Sequence, residues 1–177
     1  VPTGMIKLIK QNFNAGRDHS GTKIGEPTAF YVGAALNLSP KDPAREIKVL
    51  RRKLKNGADF FLTQPVYDTA LTKSFLDTYE SQYGPFDKPI MVGILPLYSP
   101  RHASFLHNEV PGIDIPEKIR QRISAAGEDA PQEGIKVAIE LIEEIKTWGQ
   151  GLYLMPAFNR YEIVAEIIDA IKEKDSA

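Results

Sequence analysis

Four short apolar runs set between helical patterns constrain this chain more than any other feature. They are Ala29–Leu36, Ala58–Thr63, Pro89–Leu95 and Gly151–Met155. Each is too short for a helix and carries a glycine or proline breaker towards one or both ends, so each reads as a strand. None alternates strictly between apolar and polar residues, which is the pattern of strands covered on both faces in a parallel sheet. The first three begin roughly 30 residues apart, the length of a βα repeat. The fourth begins roughly 60 residues after the third, so one unit carries an insertion, placed around Asn108–Pro131.

The intervening segments read as helices. Asp42 followed by Pro43 is a cap and a first helical position. Ile47, Leu50 and Leu54 continue that helix on one face, and Gly57 stops it. Leu71, Phe75 and Leu76 mark a second helix, ended by Gly84 and Pro85. Arg101–His107 and Pro116–Ala126 are shorter helices. Gln132–Thr147 carries Ile135, Ile139, Ile142 and Ile145 on one stripe. Arg160–Lys174 turns Ile163, Ile167, Ala170 and Ile171 inward, and Met5–Gln11 reads as the tail of an earlier helix.

Alternating β and α elements with short connections imply a parallel α/β sheet, expected to form one domain over residues 1–177. Two architectures fit four βα units: an open doubly wound sheet, or half of a (β/α)8 barrel, whose full form needs about 250 residues. In both, ligands gather at the C-terminal ends of the strands. Those ends are Leu36–Pro40, Thr63–Asp68, Leu95–Arg101 and Pro156–Arg160.

Composition narrows the function classes. With 22 Lys+Arg against 23 Asp+Glu, the charge gives no case for nucleic acid or an anionic membrane. The absence of cysteine excludes a disulfide scaffold, thiolate zinc and a cysteine nucleophile. No apolar run approaches a span of about 20 residues, and Lys7 and Lys10 interrupt any signal-like core. A soluble, cytoplasmic protein is the expectation.

Few residues stand out on position alone. Pro65 forces Gln64 into an extended backbone at a strand end, where its amide can read a heterocycle's edge or bond neighbouring backbone. Asn37 is better placed for an Asx-turn than for a ligand. Arg160 opposes the dipole of the helix it precedes, so an anionic partner or plain solvation must account for it. His102 and His107 are five apart, the wrong spacing for a metal pair on one helix face. Gly16–Lys23 departs from a phosphate-binding loop in its last two residues and follows no strand. Arg45, Glu46, Arg51, Arg52 and Lys53 read as a solvated helix face whose late cations suit the dipole.

The run from Asn56 to Asp68, NGADFFLTQPVYD, resembles the G-A-D/N-x-x-x-T-Q-x-x-x-D signature of the methylenetetrahydrofolate reductase family. Gly93-Ile94-Leu95-Pro96-Leu97 is similar to that family's G-I-L/M-P strand. Asn108–Ile113 and the Asn159-Arg160 pair follow in the family's order. Asn12, Asn14 and Gly16 through Pro27-Thr28 resemble the branch fused behind a homocysteine methyltransferase module.

The resemblance implies a parallel (βα)4 half of a TIM (β/α)8 barrel, matching strands five to eight. It implies a portion of an FAD-dependent enzyme that passes hydride from NAD(P)H to 5,10-methylenetetrahydrofolate, giving 5-methyltetrahydrofolate by a ping-pong route. By position it assigns Gln64, His102 and Arg160 to substrate. His102 stands where many relatives carry glutamine. It assigns Leu36, Glu46, Arg52 and Lys53 to FAD, with Leu36 in place of a flavin-stacking tyrosine and Val49 in place of a polar contact. It assigns no catalytic residue and no metal, since the family's general acid comes from an earlier strand. The chain is therefore expected to be a fragment or subunit, inactive alone, that pairs with an N-terminal half-barrel or with its own copy. The alternative is a non-catalytic (βα)4 half-barrel module that self-associates and binds no FAD.

Overall fold

The computed structural model describes residues 2–175. Among them, four strands form one parallel sheet in the order β1-β2-β3-β4. They are β1 (Gly33–Leu36), β2 (Phe60–Pro65), β3 (Ile90–Ile94) and β4 (Gly151–Leu154). The helices are α1 (Pro2–Gln11), α2 (Pro43–Lys55), α3 (Thr69–Tyr83), α4 (Pro100–Glu109), α5 (Glu117–Ala125), α6 (Ala130–Ile145) and α7 (Tyr161–Asp175). Sequential parallel neighbours joined by helices are the arrangement of part of a (β/α)8 barrel.

The helix starts follow their caps. The Asp42 carboxylate accepts from the Arg45 N–H at 3.0 Å, with Pro43 in the first turn of α2. Asp68 does the same for Leu71 at 2.9 Å in α3, and Ser99 for His102 at 3.1 Å in α4. Ile47 and Leu50 of α2, Ile135, Ile142 and Ile145 of α6, and Ile163 and Ile167 of α7 join one buried cluster beneath the sheet. In α3 the inward face is Thr72, Phe75 and Tyr79, whereas Leu71, one of the residues that mark the helix, is 50% exposed.

The first strand is shorter than its apolar run. Asn14 bonds both backbone groups of Phe30 with its side-chain amide, so that stretch is tied to the N-terminal loop. Sheet pairing begins only at Gly33. The 16–23 segment is a small hairpin-like loop, with Arg17 bridging Lys23 and Asp18 accepting from Ser20 and Thr22.

The sheet's two faces differ. Phe61, Val92 and Ile94 lie under the helices. Phe60, Leu62, Met91 and Tyr153 lie on the other face, where large side chains cross glycines on adjacent strands. A Cβ on Gly33 would come within 2.4 Å of the Phe60 ring, and one on Gly151 within 2.6 Å of Met91 Sδ. Leu62 on this face is 40% exposed. The insertion supplies α5, and its loop passes over the strand ends: a Cβ on Gly112 would meet Asn37 Nδ2 at 3.2 Å and Gln64 Cγ at 3.8 Å. It thus covers part of the sheet's C-terminal edge and leaves Leu62 open.

Candidate functional site

Gln64 stands at the C-terminal end of β2, exposed, where the pairing with β3 is irregular between Leu62 and Pro65. The Thr63 hydroxyl accepts from the Gly93 N–H at 2.9 Å and donates to the Gln64 carbonyl at 2.7 Å. The Tyr153 hydroxyl donates to the Thr63 carbonyl. These bonds hold the Gln64 backbone, while its side chain is exposed, its Cγ beside Gly112 of the insertion. Such irregularities re-aim side chains beside sites.

A second group gathers at the ends of β3 and β4. The Tyr98 and His102 rings stack at 4.2 Å between centroids, and Phe158 meets both edge-on at 6.2 Å. The Arg160 guanidinium carbon lies 4.5 Å from the centre of the Tyr98 ring. His102 is only 4% exposed, and its Nδ1 is buried with no hydrogen-bond partner. Burial, aided by the Arg160 charge, pulls its pKa down to about 4. His102 is therefore a neutral imidazole at neutral pH, with Nδ1 buried and unpaired. Phe158 and Asn159 both take left-handed backbone, φ 48° and 63°, which costs energy for non-glycine residues.

Asn37 makes the expected Asx-turn, its Oδ1 accepting from the Ser39 N–H at 2.9 Å. His107 is apart from His102, accepting at Nδ1 from the Ile115 N–H at 3.2 Å. A cleft of about 860 Å³ lies between the 37–43 segment, α3, and the end of α4 with the 110–114 loop, and the exposed Leu71 lines it. None of the substrate or cofactor candidates lines that cleft.

A family model described as methylenetetrahydrofolate reductase matches residues 3–172. The chain belongs to the methylenetetrahydrofolate reductase family. A solved structure shares the fold: an uncharacterized protein from Clostridium thermocellum that binds two copies of 5-methyl-5,6,7,8-tetrahydrofolic acid. The TM-score is 0.52 at 20% identity, covering 80% of this chain and 53% of that one. The matched region thus spans about half of the neighbour's length.

Placed in this reductase-family fold, the residues assigned to substrate and cofactor separate. Gln64 and Arg160 stand at C-terminal strand ends, and His102 stands in the first turn of α4 beyond β3. The α2 residues lie beside the edge strand β1. Arg52 is exposed and makes no ion pair with a described residue, which suits a diphosphate, and half-buried Glu46 suits a ribose hydroxyl. Lys53 is not on a solvated face: it is buried, with Nζ 2.6 Å from the Ala35 carbonyl and 3.7 Å from Glu46. Leu36 is 1% exposed in the core and presents no surface on which a flavin ring could stack. Arg52 and Glu46 are thus open to a cofactor, Lys53 keeps ammonium donors beside its Ala35 bond but has little exposed surface to offer, and Leu36 has none.

The sequence reading passed over Thr63, Tyr98 and Phe158. All three fall within or beside the strand ends that it marked, and Tyr98 lies in the same short segment as His102. The missing signal was aromatic clustering across the β3 and β4 ends, which no local spacing displays.

Proposed function

We propose that this chain is the substrate-orienting portion of a methylenetetrahydrofolate reductase, with Gln64, His102 and Arg160 contacting the folate. The observation that carries this reading is the buried, unpartnered His102 Nδ1 beside Arg160, whose guanidinium contacts a ring and no acid. A neutral imidazole offers one donor or acceptor to a polar ring edge, and the guanidinium offers up to five donors to an anionic group. Gln64 adds an amide that serves both a pterin edge and a carboxamide. The Clostridium thermocellum neighbour supports the ligand class, since it binds a methyltetrahydrofolate.

Arg52 and Glu46 would hold FAD, which when bound would supply hydride transfer between NAD(P)H and the folate. This chain's share is to orient both substrates in turn and to exclude water at the strand ends. No proton donor is assigned to it. The carboxyl groups whose pKa departs from the ordinary value all move down. The Ser20 hydroxyl holds Asp18 low, and Arg122 holds Glu133 and Glu140 low. Asp59 ends low although its burial pushes upward, because the Val32 N–H and Lys10 bind it. The acid would come from a partner half-barrel seated on the face of Phe60, Leu62, Met91 and Tyr153, supplied by another segment or a second copy. A homocysteine methyltransferase module and a cytoplasmic location belong to the same reading.

A second reading is favoured by Lys53 and Leu36, both committed within the fold: a half-barrel that associates through its open face and binds no FAD. Titration of the purified protein with FAD and with 5-methyltetrahydrofolate, alongside sedimentation, separates the two. The first reading expects folate binding, weakened in Gln64→Ala and Arg160→Ala, with no reductase turnover by the isolated chain. Self-association with neither ligand bound would establish the second.

A further inference from the structure

Two strand ends meet at one ring. Tyr98 directly precedes Ser99, whose hydroxyl caps α4 by accepting from the His102 N–H. The cap fixes the backbones of Tyr98 and His102 relative to each other, so their stacked rings stand on a rigid base. Arg160 arrives from the other side, on the loop after β4, behind two residues in left-handed backbone. Its side chain makes no hydrogen bond or ion pair with any described residue, and its contact is the Tyr98 ring. A long, flexible, exposed arginine without that contact would sample many rotamers, and any ligand would have to order it.

We propose that Tyr98 is a positioning residue: its ring holds the Arg160 guanidinium beside His102, so that the two close on the ligand as one preformed clamp. The inference rests on the folate reading and deepens it, since Tyr98 has no need to touch the ligand. The attraction is electrostatic, between the cation and the negative face of the ring. The hydroxyl therefore matters little and the electron density of the ring matters most. Phe158 closes the edge of the group, and strained backbone of its kind persists where surrounding contacts hold it.

The test replaces Tyr98 by Phe, by ring-fluorinated phenylalanines of falling electron density, and by Leu. Two readouts are taken on each variant. One is the Arg160 guanidinium and His102 ring signals by nuclear magnetic resonance. The other is the Kd of 5-methyltetrahydrofolate. Tyr98→Phe should match wild type within about twofold. Successive fluorination should weaken binding in graded steps, and Tyr98→Leu should weaken it about three- to tenfold while freeing the Arg160 guanidinium. The fluorinated rings keep the shape of phenylalanine, so they decide the matter even where Tyr98→Leu fails to fold. A merely structural ring would show no gradation. A flat fluorinated series, or an Arg160 signal unchanged in Tyr98→Leu, overturns the inference. If wild type does not bind the folate, the functional reading falls, and the guanidinium signals across the same series still decide the role of Tyr98.

Discussion

The Thr63 hydroxyl sits between the Gly93 N–H and the Gln64 carbonyl, accepting from the first at 2.9 Å and donating to the second at 2.7 Å. It completes the β2–β3 ladder where the register shifts. The residue that fixes the candidate substrate glutamine is thus the buried threonine before it, as much as the proline after it.

Thr63→Val keeps the shape and removes the hydroxyl. It leaves a buried Gly93 N–H without an acceptor, which costs about 1–3 kcal/mol. Urea unfolding should show that loss, faster hydrogen exchange at Gly93 should accompany it, and Thr63→Ser should restore most of it. Wild-type stability in Thr63→Val would show that the ladder closes without the hydroxyl.

Gly134 of α6 packs directly on the loop after β3. A Cβ there would lie 1.6 Å from the Leu97 carbonyl oxygen, a contact with backbone that no side-chain rotation relieves. Gly134→Ala should therefore cost about 3 kcal/mol or more, or prevent folding. Thermal denaturation measures it, and a melting temperature near that of wild type would mean that α6 can shift away from the sheet end.

His102 makes stability depend on pH. Its folded pKa, about 4, lies below the ordinary 6.5, because burial and then Arg160 disfavour the charged ring. The unfolded chain therefore binds a proton first as pH falls. The stabilisation is fully present above about pH 6.5 and is lost progressively down to about pH 4, by up to about 3 kcal/mol. Comparing unfolding free energies of wild type and His102→Gln between pH 7 and pH 4 isolates this contribution, since the variant should lack that part of the slope. Parallel pH profiles would refute it.

Gln64 is exposed, so its loss should spare the fold and weaken the ligand. Gln64→Ala should reduce 5-methyltetrahydrofolate binding by about 1–3 kcal/mol, with the unfolding midpoint unchanged. Calorimetry and urea titration on the same sample check both halves. A fall in stability equal to the fall in affinity would assign Gln64 to the structure instead.

Much of the architecture follows from local chemistry that the sequence carries openly. Asp42-Pro43 starts α2, Gly84 ends α3, and the short apolar runs repeat at the βα interval, because capping and hydrophobic period act over a few residues. The positions of Gln64 and Arg160 at strand ends were equally legible, since direction along a strand fixes which end is which, while His102 belongs to the helix after β3. The tertiary structure decided what depends on groups far apart in the chain. The pleat placed Phe60, Met91 and Tyr153 on the open face and sent Phe61, Val92 and Val32 into the core. It buried Leu36 and exposed Leu71, since which face each residue presents depends on what packs against it. Lys53 left the solvated face that its helix position suggested because the Ala35 carbonyl, 18 residues earlier, lies within its reach. The Tyr98–Arg160 contact spans 62 positions, and only the adjacency of β3 and β4 in the sheet brings the ring and the cation together.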